Sequence, residues 1–591
     1  MKKYLKIMFA MTKGYRFRYF LSFFILFFAV LLQLISTFMS KILVDTLNYN
    51  PPTGLIDTTM TNLFGGQVFL RANLWVFSFI IIGIGIARAM INVSRNILRA
   101  SVDTGIATKM QLKLFYHIER LPYPFLKKSK SGDIIQTCTR DEEVLRRFVI
   151  REVMSMVYTF YIVTLSFLIL LTLSWKLAVS CIIILPPMFI YSYFIIKQVR
   201  VRYRKTDDSD GVMCAKIEEN LSAVRVVKAY NNEKFEIESF EESLKDYEKK
   251  FIHWRKLSSF FFSSSDVFVF GQIVLTTLFG LYLALLGDIS IGTTVVAFSF
   301  VSMIVWPVRD VAMTLSNLAR AVVSMDRINL ILNEPLEDIE TGERPDIKGH
   351  IQFEHMSFHY DDGDEVVLKD ISLDVKPGET IAIMGKTGSG KSTLSHLLTR
   401  LYDYTEGSIK IDGVELKTIS KEHIRRKIAT VLQEPFLFSK TIINNLRVAN
   451  KDATEEEIIR AAKIADIHNN ILTFKEGYNT PVGEKGITLS GGQKQRLAIA
   501  RTIINNAPIL VFDDSLSAVD TETDIHIRSA LKARQANTTT LIITHRVATA
   551  KDADRIIVLE DGHISQQGTH EQLVNQDGLY KRIYDIQTRM V

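Results

Sequence analysis

TIAIMGKTGSGKSTLSHLLTRLY, residues 380–402, decides the fold of the C-terminal half. Four of its first five residues are apolar and read as a buried strand, and the stretch after Ser392 reads as a helix. Between them lies Gly385, Lys386, Thr387, Gly388, Ser389, Gly390, Lys391, Ser392, a loop in which glycine lets the backbone turn tightly enough to aim several N–H groups at one point. A helix start just beyond, at Thr393, adds the positive end of its dipole. Strand, glycine loop and helix in that order predict a phosphate cradle in which Lys391 reaches the β- and γ-phosphates and the Ser392 hydroxyl ligates Mg²⁺.

Two further stretches fit the same chemistry. In APILVFDDSLSAVD, residues 507–520, four apolar residues form a strand ending at Asp513, placed to hold Mg²⁺ through water. The next residue, Asp514, stands where a general base would orient water at the γ-phosphate. In LSGGQKQRLAIAR, residues 489–501, Ser490, Gly491, Gly492 and Gln493 begin a helix whose following turns carry Lys494, Arg496 and Arg501. One chain thus carries two phosphate-facing helix starts. The second is best explained if it closes over ATP held by another copy or a partner.

Outward from this domain the composition changes. The 591 residues exceed what one hydrophobic core supports, so at least two folding units are expected. Six apolar stretches approach the roughly 20 residues needed to cross a bilayer: 19–39, 74–91, 153–173, 177–196, 267–286 and 293–311. Arg88, Gln272 and Arg309 lie inside them, which calls for a bundle interior or a wet cavity. The first 18 residues hold six basic and no acidic residues, Arg88–Glu152 holds 13 basic against 7 acidic, and 197–256 holds 14 against 12. The Lys/Arg rule then puts the N-terminus and both long intervals in the cytoplasm, and six spans return the C-terminus there. The long intervals read as helical extensions of the spans, with turns expected near Gly132 and Gly211. Three cysteines without CxxC spacing exclude a disulfide scaffold and a zinc site. The net charge of +7 also suits nucleic acid, but six spans exclude a soluble protein acting on ribosomes or DNA.

Taken together, GKTGSGKS, LQEP with Gln433, TPVGEKG, LSGGQ, ILVFD, SAVD and ITHR with His545 resemble the ATP-binding cassette exporters over essentially the whole chain. The resemblance is to a bacterial half-transporter: an all-α membrane domain of six long helices (1–330), a linker (331–348) and an α/β P-loop nucleotide-binding domain (349–591). It implies ATP and Mg²⁺ as ligands, Tyr360 stacked on adenine, and Gln433 sensing Mg²⁺ together with Ser392 and Asp513. It also implies His545 as the switch residue beside Asp514, and a dimer in the cell membrane that pairs each P-loop with the other subunit's Ser490–Gln493. Efficient members of the family carry Glu where this chain has Asp514. The low-turnover half of a heterodimer, exporting a hydrophobic or amphipathic molecule beside a non-identical subunit with an intact Glu, is the expected reading. A slow homodimer and an ATP-gated membrane regulator are its alternatives.

Overall fold

The computed structural model describes residues 8–52, 55–361, 363, 365–516, 519–534 and 538–589. It falls into two compact units, one formed by Met1–Glu119 with Lys130–Glu334 and the other by Arg120–Ser129 with Pro335–Val591.

The first unit is helical. Its long helices are α1 (Arg16–Leu47), α2 (Trp75–Ile118), α4 (Ser131–Leu173), α5 (Trp175–Ser222), α6 (Glu233–Leu285) and α7 (Ile291–Asn333), and each contains a window long and apolar enough to cross a membrane. The short helix α3 (Tyr123–Lys128) between α2 and α4 belongs to the second unit. The six spans coincide with the six apolar stretches, because periodicity is least ambiguous where an apolar run exceeds the length of any soluble core helix. Gly211 corrects one expectation: it lies inside α5, and the chain turns instead at Ala223 and at Tyr230–Asn232, where Asn231 adopts φ 52°. A lone glycine costs a helix only about 1 kcal/mol, less than thirty-odd neighbours with helical preference supply.

The polar residues inside the spans are explained by packing. Pro186 and Pro187 interrupt the apolar run after Ser180, and the chain runs through a turn before resuming helix at Leu185. Gln272 of α6, wholly buried, fills the gap. Its Oε1 accepts from the Ile184 amide at 3.0 Å, and its Nε2 donates to the Ser180 carbonyl at 2.6 Å and to Thr276 Oγ1 at 2.9 Å. The side chain substitutes for the backbone bond that the broken turn lacks, which a membrane-embedded helix must replace because lipid offers no partner. Gln272→Leu leaves the Ile184 amide unpaired, at a cost of about 1–3 kcal/mol, and leaves the Ser180 carbonyl only the longer 3.4 Å bond from Thr276. The detergent-purified variant should unfold several degrees below wild type in a thermal scan, and an unchanged midpoint would refute this account.

Arg309 of α7 donates to Asp266 of α6 at 2.8 Å and lies 4.6 Å from the Trp306 ring centroid, so it is an interhelical ion pair. Lys41, buried at the end of the first apolar run, bonds Asp45 at 2.8 Å and also Asp57. Asp45 in turn accepts from Ser290 at 2.9 Å and from the Gly292 amide at 3.1 Å, fastening α1 to the start of α7.

The second unit is built on two sheets. One is antiparallel, ordered β2-β1-β4-β5, with β1 Ile351–His359, β2 Val366–Val375, β4 Glu406–Ile411 and β5 Val414–Glu415. The other runs β10-β9-β3-β8-β7-β6, with β3 Thr380–Gly385, β6 Ile428–Val431, β7 Ile509–Asp513, β8 Thr539–Ile543, β9 Arg555–Glu560 and β10 His563–Gly568. Strands β9, β3, β8, β7 and β6 are parallel. Their interior residues are almost uniformly buried, as expected of parallel strands covered on both faces. Parallel sheets bind ligands at the carboxyl ends of their strands, and here β3, β6, β7 and β8 end together.

Candidate functional site

The loop leaving β3 is shaped by glycines that nothing else could replace. Gly385 has φ 154° and its missing Cβ would meet the Leu559 carbonyl oxygen at 2.3 Å, while Gly390, at φ 94°, would strike Leu368 at 2.6 Å. Helix α8 (Lys391–Leu398) starts directly after it. A cavity of about 450 Å³ opens over the loop, lined by Gly385, Thr387, Gly388, Gly390, Lys391, Ser392 and Thr393 together with Tyr360, Gln433, Asp513, Asp514 and His545. Residues spread over almost two hundred positions of sequence thus face one space.

Inside it Lys391 Nζ donates to the carbonyls of Gly385 at 2.9 Å and Lys386 at 2.7 Å, bonds a phosphate can replace. Burial pulls the Lys391 ammonium below its usual range, opposed by the charges of Asp514 and Asp513. Ser392 Oγ donates to Asp513 Oδ1 at 2.9 Å. Burial raises the Asp513 carboxyl, the Ser392 bond pulls it down, and the charge on Asp514 raises it further. A divalent cation between Ser392 and Asp513 would relieve that repulsion, so the donor set fits Mg²⁺. Ser389 lies beneath the loop, and its buried hydroxyl has no partner among the described residues, as fits an approaching phosphate oxygen. Lys386 is exposed at the outside of the loop.

Asp514 adopts φ 44°, its amide donating to the Ile543 carbonyl at 2.9 Å. Its Oδ1 is 2.9 Å from His545 Nδ1. The sequence-predicted base and switch residue therefore touch within one chain. Tyr360 follows β1; its hydroxyl is 3.0 Å from Thr393 Oγ1, and its ring meets Phe358 and Tyr402 edge-on at 4.9 and 5.0 Å.

The residues Ser490, Gly491, Gly492 and Gln493 do not line this cavity. They begin helix α9 (Gly491–Ile504), where Ser490 Oγ accepts from the Gln493 amide at 3.3 Å and Gln493 Oε1 accepts from the Ser490 amide at 2.9 Å. Ser490 and Gly491 are exposed. The expected basic face behind them is largely committed elsewhere: Arg496 bonds the Asp466 carbonyl at 3.0 Å and Arg501 the Phe436 carbonyl at 3.0 Å. Ser517 and Ala518 of SAVD lie outside the described residues.

Sequence reasoning missed α3. Tyr123 packs edge-on against Tyr402 at 5.7 Å, and Lys127 Nζ lies 4.8 Å from the Tyr360 ring centroid. Pro122 and Pro124, breaking an otherwise helical interval, were the only signal of it. The segment before β1 is also pinned: Glu337 is bonded by Arg425 at 2.8 Å and Lys421 at 3.0 Å. Burial raises the Glu337 carboxyl, but these two cations outweigh it and hold the group below the usual range.

Against known families, residues 20–308 match the ABC transporter transmembrane region and residues 368–517 the ABC transporter domain. The chain is 34% identical to the uncharacterized ABC transporter ATP-binding protein YknU of Bacillus subtilis, over 82% of this chain and 84% of that one. This chain belongs to the ABC transporter family. YgaD of Bacillus subtilis, provisionally named a multidrug export ATP-binding/permease protein, is 33% identical over 81% of this chain and 83% of its own. The structure of a bacterial Atm1-family ABC exporter with ATP bound matches at TM-score 0.81 and 25% identity, covering 97% of this transporter and 99% of that chain. The transporter is accordingly a multi-pass membrane protein of exporter architecture with a cytoplasmic, ATP-hydrolysing nucleotide domain.

Proposed function

We propose that this chain is the subunit of an ATP-driven exporter of hydrophobic or amphipathic molecules, acting as a dimer whose own catalytic site turns over slowly. The observation that carries this is the single cavity joining Tyr360, the Gly385–Thr393 loop, Gln433, Asp513, Asp514 and His545, on a chain whose other unit carries six membrane-crossing helices. Two relatives named for multidrug export support the cargo class.

In the mechanism, Tyr360 offers its ring to adenine, and the backbone amides of Gly388 to Thr393 with Lys391 hold the β- and γ-phosphates. Ser392, Asp513 and Gln433 would hold Mg²⁺, which would neutralise charge on the transferring phosphoryl group. Asp514 accepts a proton from the attacking water or orients it, and His545 fixes the Asp514 carboxylate through the 2.9 Å contact. The aspartate falls about 1.5 Å short of a glutamate, and a misplacement near 1 Å lowers a rate on the order of 10²-fold. Ser490–Gln493, of which Ser490 and Gly491 are exposed on their own subunit, closes the ATP held by the other subunit. Closure turns the membrane cavity outward, and hydrolysis resets it.

Two identical subunits form the simplest assembly, supported by a complete set of nucleotide residues and by Asp514 still meeting His545. A second reading, a heterodimer with a non-identical subunit that carries Glu, is favoured by Asp514 itself. Both are tested in sealed inside-out vesicles containing the chain alone and the chain with whatever co-purifies from its native membrane. ATP-dependent accumulation of an amphipathic dye is expected for the chain alone. Accumulation only with a second subunit selects the heterodimer, and ATP-dependent leak without accumulation in either preparation overturns the exporter reading.

A further inference from the structure

The membrane unit holds a second polar cavity. About 540 Å³ in volume, it lies between α1, α2 and α4, with Arg88, Asn92 and Arg95 on one side and Gln33 and Tyr158 on the other. Arg88, Asn92, Arg95 and Arg99 recur at intervals of four, three and four residues, so they share one face of α2. The apolar residues Ile86, Met90, Val93 and Ile97, all strongly exposed, sit two positions out of phase, roughly 200° around the helix at 100° per residue. The hydrocarbon-suited stripe of α2 is therefore the opposite face, and the arginines do not reach for lipid headgroups along the outside of the bundle.

Among the described residues of this chain, no carboxylate balances the charge in this cavity. Unlike Arg309, which has Asp266, Arg88 has only the neutral Gln33 side chain, at 2.9 Å. Among the described residues neither Arg95 nor Arg99 has an acidic partner or a hydrogen bond, and Arg95 and Arg99 stand four residues apart on one helix face, a spacing at which like charges repel. No Asp or Glu occurs in residues 16–44, 75–102 or 153–173. The nearest acidic residue on α2, Asp103, is taken by Arg146, and Glu152 below the α4 span is taken by Thr314 and Asn317. Cations inside a membrane bundle normally pair with one another's counter-charges or mark a substrate path. Leu26 and Val30, almost fully buried, supply an apolar wall beside the guanidinium groups. Measured from Trp75 at 1.5 Å per residue, Arg88 is roughly 20 Å and Arg95 roughly 30 Å along α2, so Arg88 lies in the cytoplasmic half of the bilayer and Arg95 at its cytoplasmic edge.

We infer that this cavity binds the acidic headgroup of an amphipathic anion, a phosphate or carboxylate held by Arg88 and Arg95 with its tail against Leu26 and Val30. The inference deepens the exporter reading by naming the charge of its cargo, and it rests on that reading only for the cargo's movement. Such a headgroup reaches Arg95 either on a lipid of the cytoplasmic leaflet or on a single-chain amphiphile from the cytosol.

The test is equilibrium binding of radiolabelled dodecyl phosphate to the full-length transporter, with any subunit that co-purifies, in nanodiscs of neutral phosphatidylcholine. Saturable binding is expected, weakened at least tenfold by Arg95→Gln and largely restored by Arg95→Lys. Asn92→Asp, which sets a carboxylate one turn from Arg95, should weaken it similarly. Retained ATP binding at Lys391 certifies that each variant is folded. Dodecyltrimethylammonium should not compete. Competition by short-chain phosphatidylglycerol assigns the site to a leaflet lipid, and competition by octyl phosphate alone assigns it to a soluble amphiphile. Equal binding by wild type and both Arg95→Gln and Asn92→Asp, or equal displacement by the cation, overturns the site. Binding without ATP-driven movement in sealed vesicles keeps the site and removes the exporter reading; ATP-driven movement of a cationic dye with no anion binding does the reverse.

Discussion

Asp514→Glu should raise the steady-state ATPase activity of the purified chain by on the order of 10²-fold, because one added methylene carries the carboxylate about 1.5 Å further toward the γ-phosphate position. The substitution is conservative in charge, and the 2.9 Å contact to His545 marks where the longer side chain must be steadied. In an assembly of two identical subunits both sites gain, and the proposed metal ligands Gln433, Ser392 and Asp513 are unaltered. In an assembly with a Glu-bearing subunit the overall rate already belongs to the other site, so the same change moves it little. Steady-state phosphate release, measured for the chain alone and with its co-purifying material, reads this directly. An unchanged rate in the chain alone would show that Asp514 is not the group limiting hydrolysis. Transport need not rise in proportion if prolonged closure is itself the useful state.

Ser490→Arg should nearly abolish turnover, by more than 10²-fold in either assembly. Ser490 performs two tasks that arginine performs neither of. Its hydroxyl caps α9 by accepting from the Gln493 amide, a loss of about 1 kcal/mol when removed, and its small exposed side chain leaves room for a phosphate at the helix start. Arginine adds bulk and a long charged stem where, in the proposed dimer, the two subunits close. Ser490→Thr keeps the cap and should keep most of the rate. Binding of a fluorescent ATP analogue to the chain's own Lys391 loop should survive in both variants, since Ser490 does not line that cavity. Wild-type turnover by Ser490→Arg would exclude any role for this helix start in closing a site.

The phosphate-type loop and the strand that places Asp513 and Asp514 were legible in the sequence because their determinants are local. Gly385–Ser392 fixes its own loop, and four consecutive apolar residues before Asp513 fix its strand, so little depends on distant partners. The six spans were legible for the same reason of length and composition. What escaped was tertiary. The partner of Gln272 is a backbone gap opened by prolines on another helix, and the Lys41–Asp45 pair draws its further partners, Asp57 and Ser290, from two other segments. Gly211 misled because glycine only permits a turn, whereas Asn231, at positive φ, marks where one occurs. Arg88 and Arg309 looked alike as charges inside apolar runs, and only the fold reveals that Arg309 meets a carboxylate whereas, among the described residues, Arg88 meets the neutral Gln33.

The ten residues Arg120–Ser129 leave the membrane unit, complete the nucleotide unit and return. Tyr123 and Lys127 are synthesised long before Tyr360 and Tyr402, the rings they meet. During translation α3 must therefore wait at the ribosome-facing side of a membrane domain that is still being inserted, holding an aromatic surface with nothing yet to cover it. A soluble fragment beginning at Gly349 would never regain that surface. Its Tyr360 would be studied without Lys127, the cation that stands beside that ring in the whole protein.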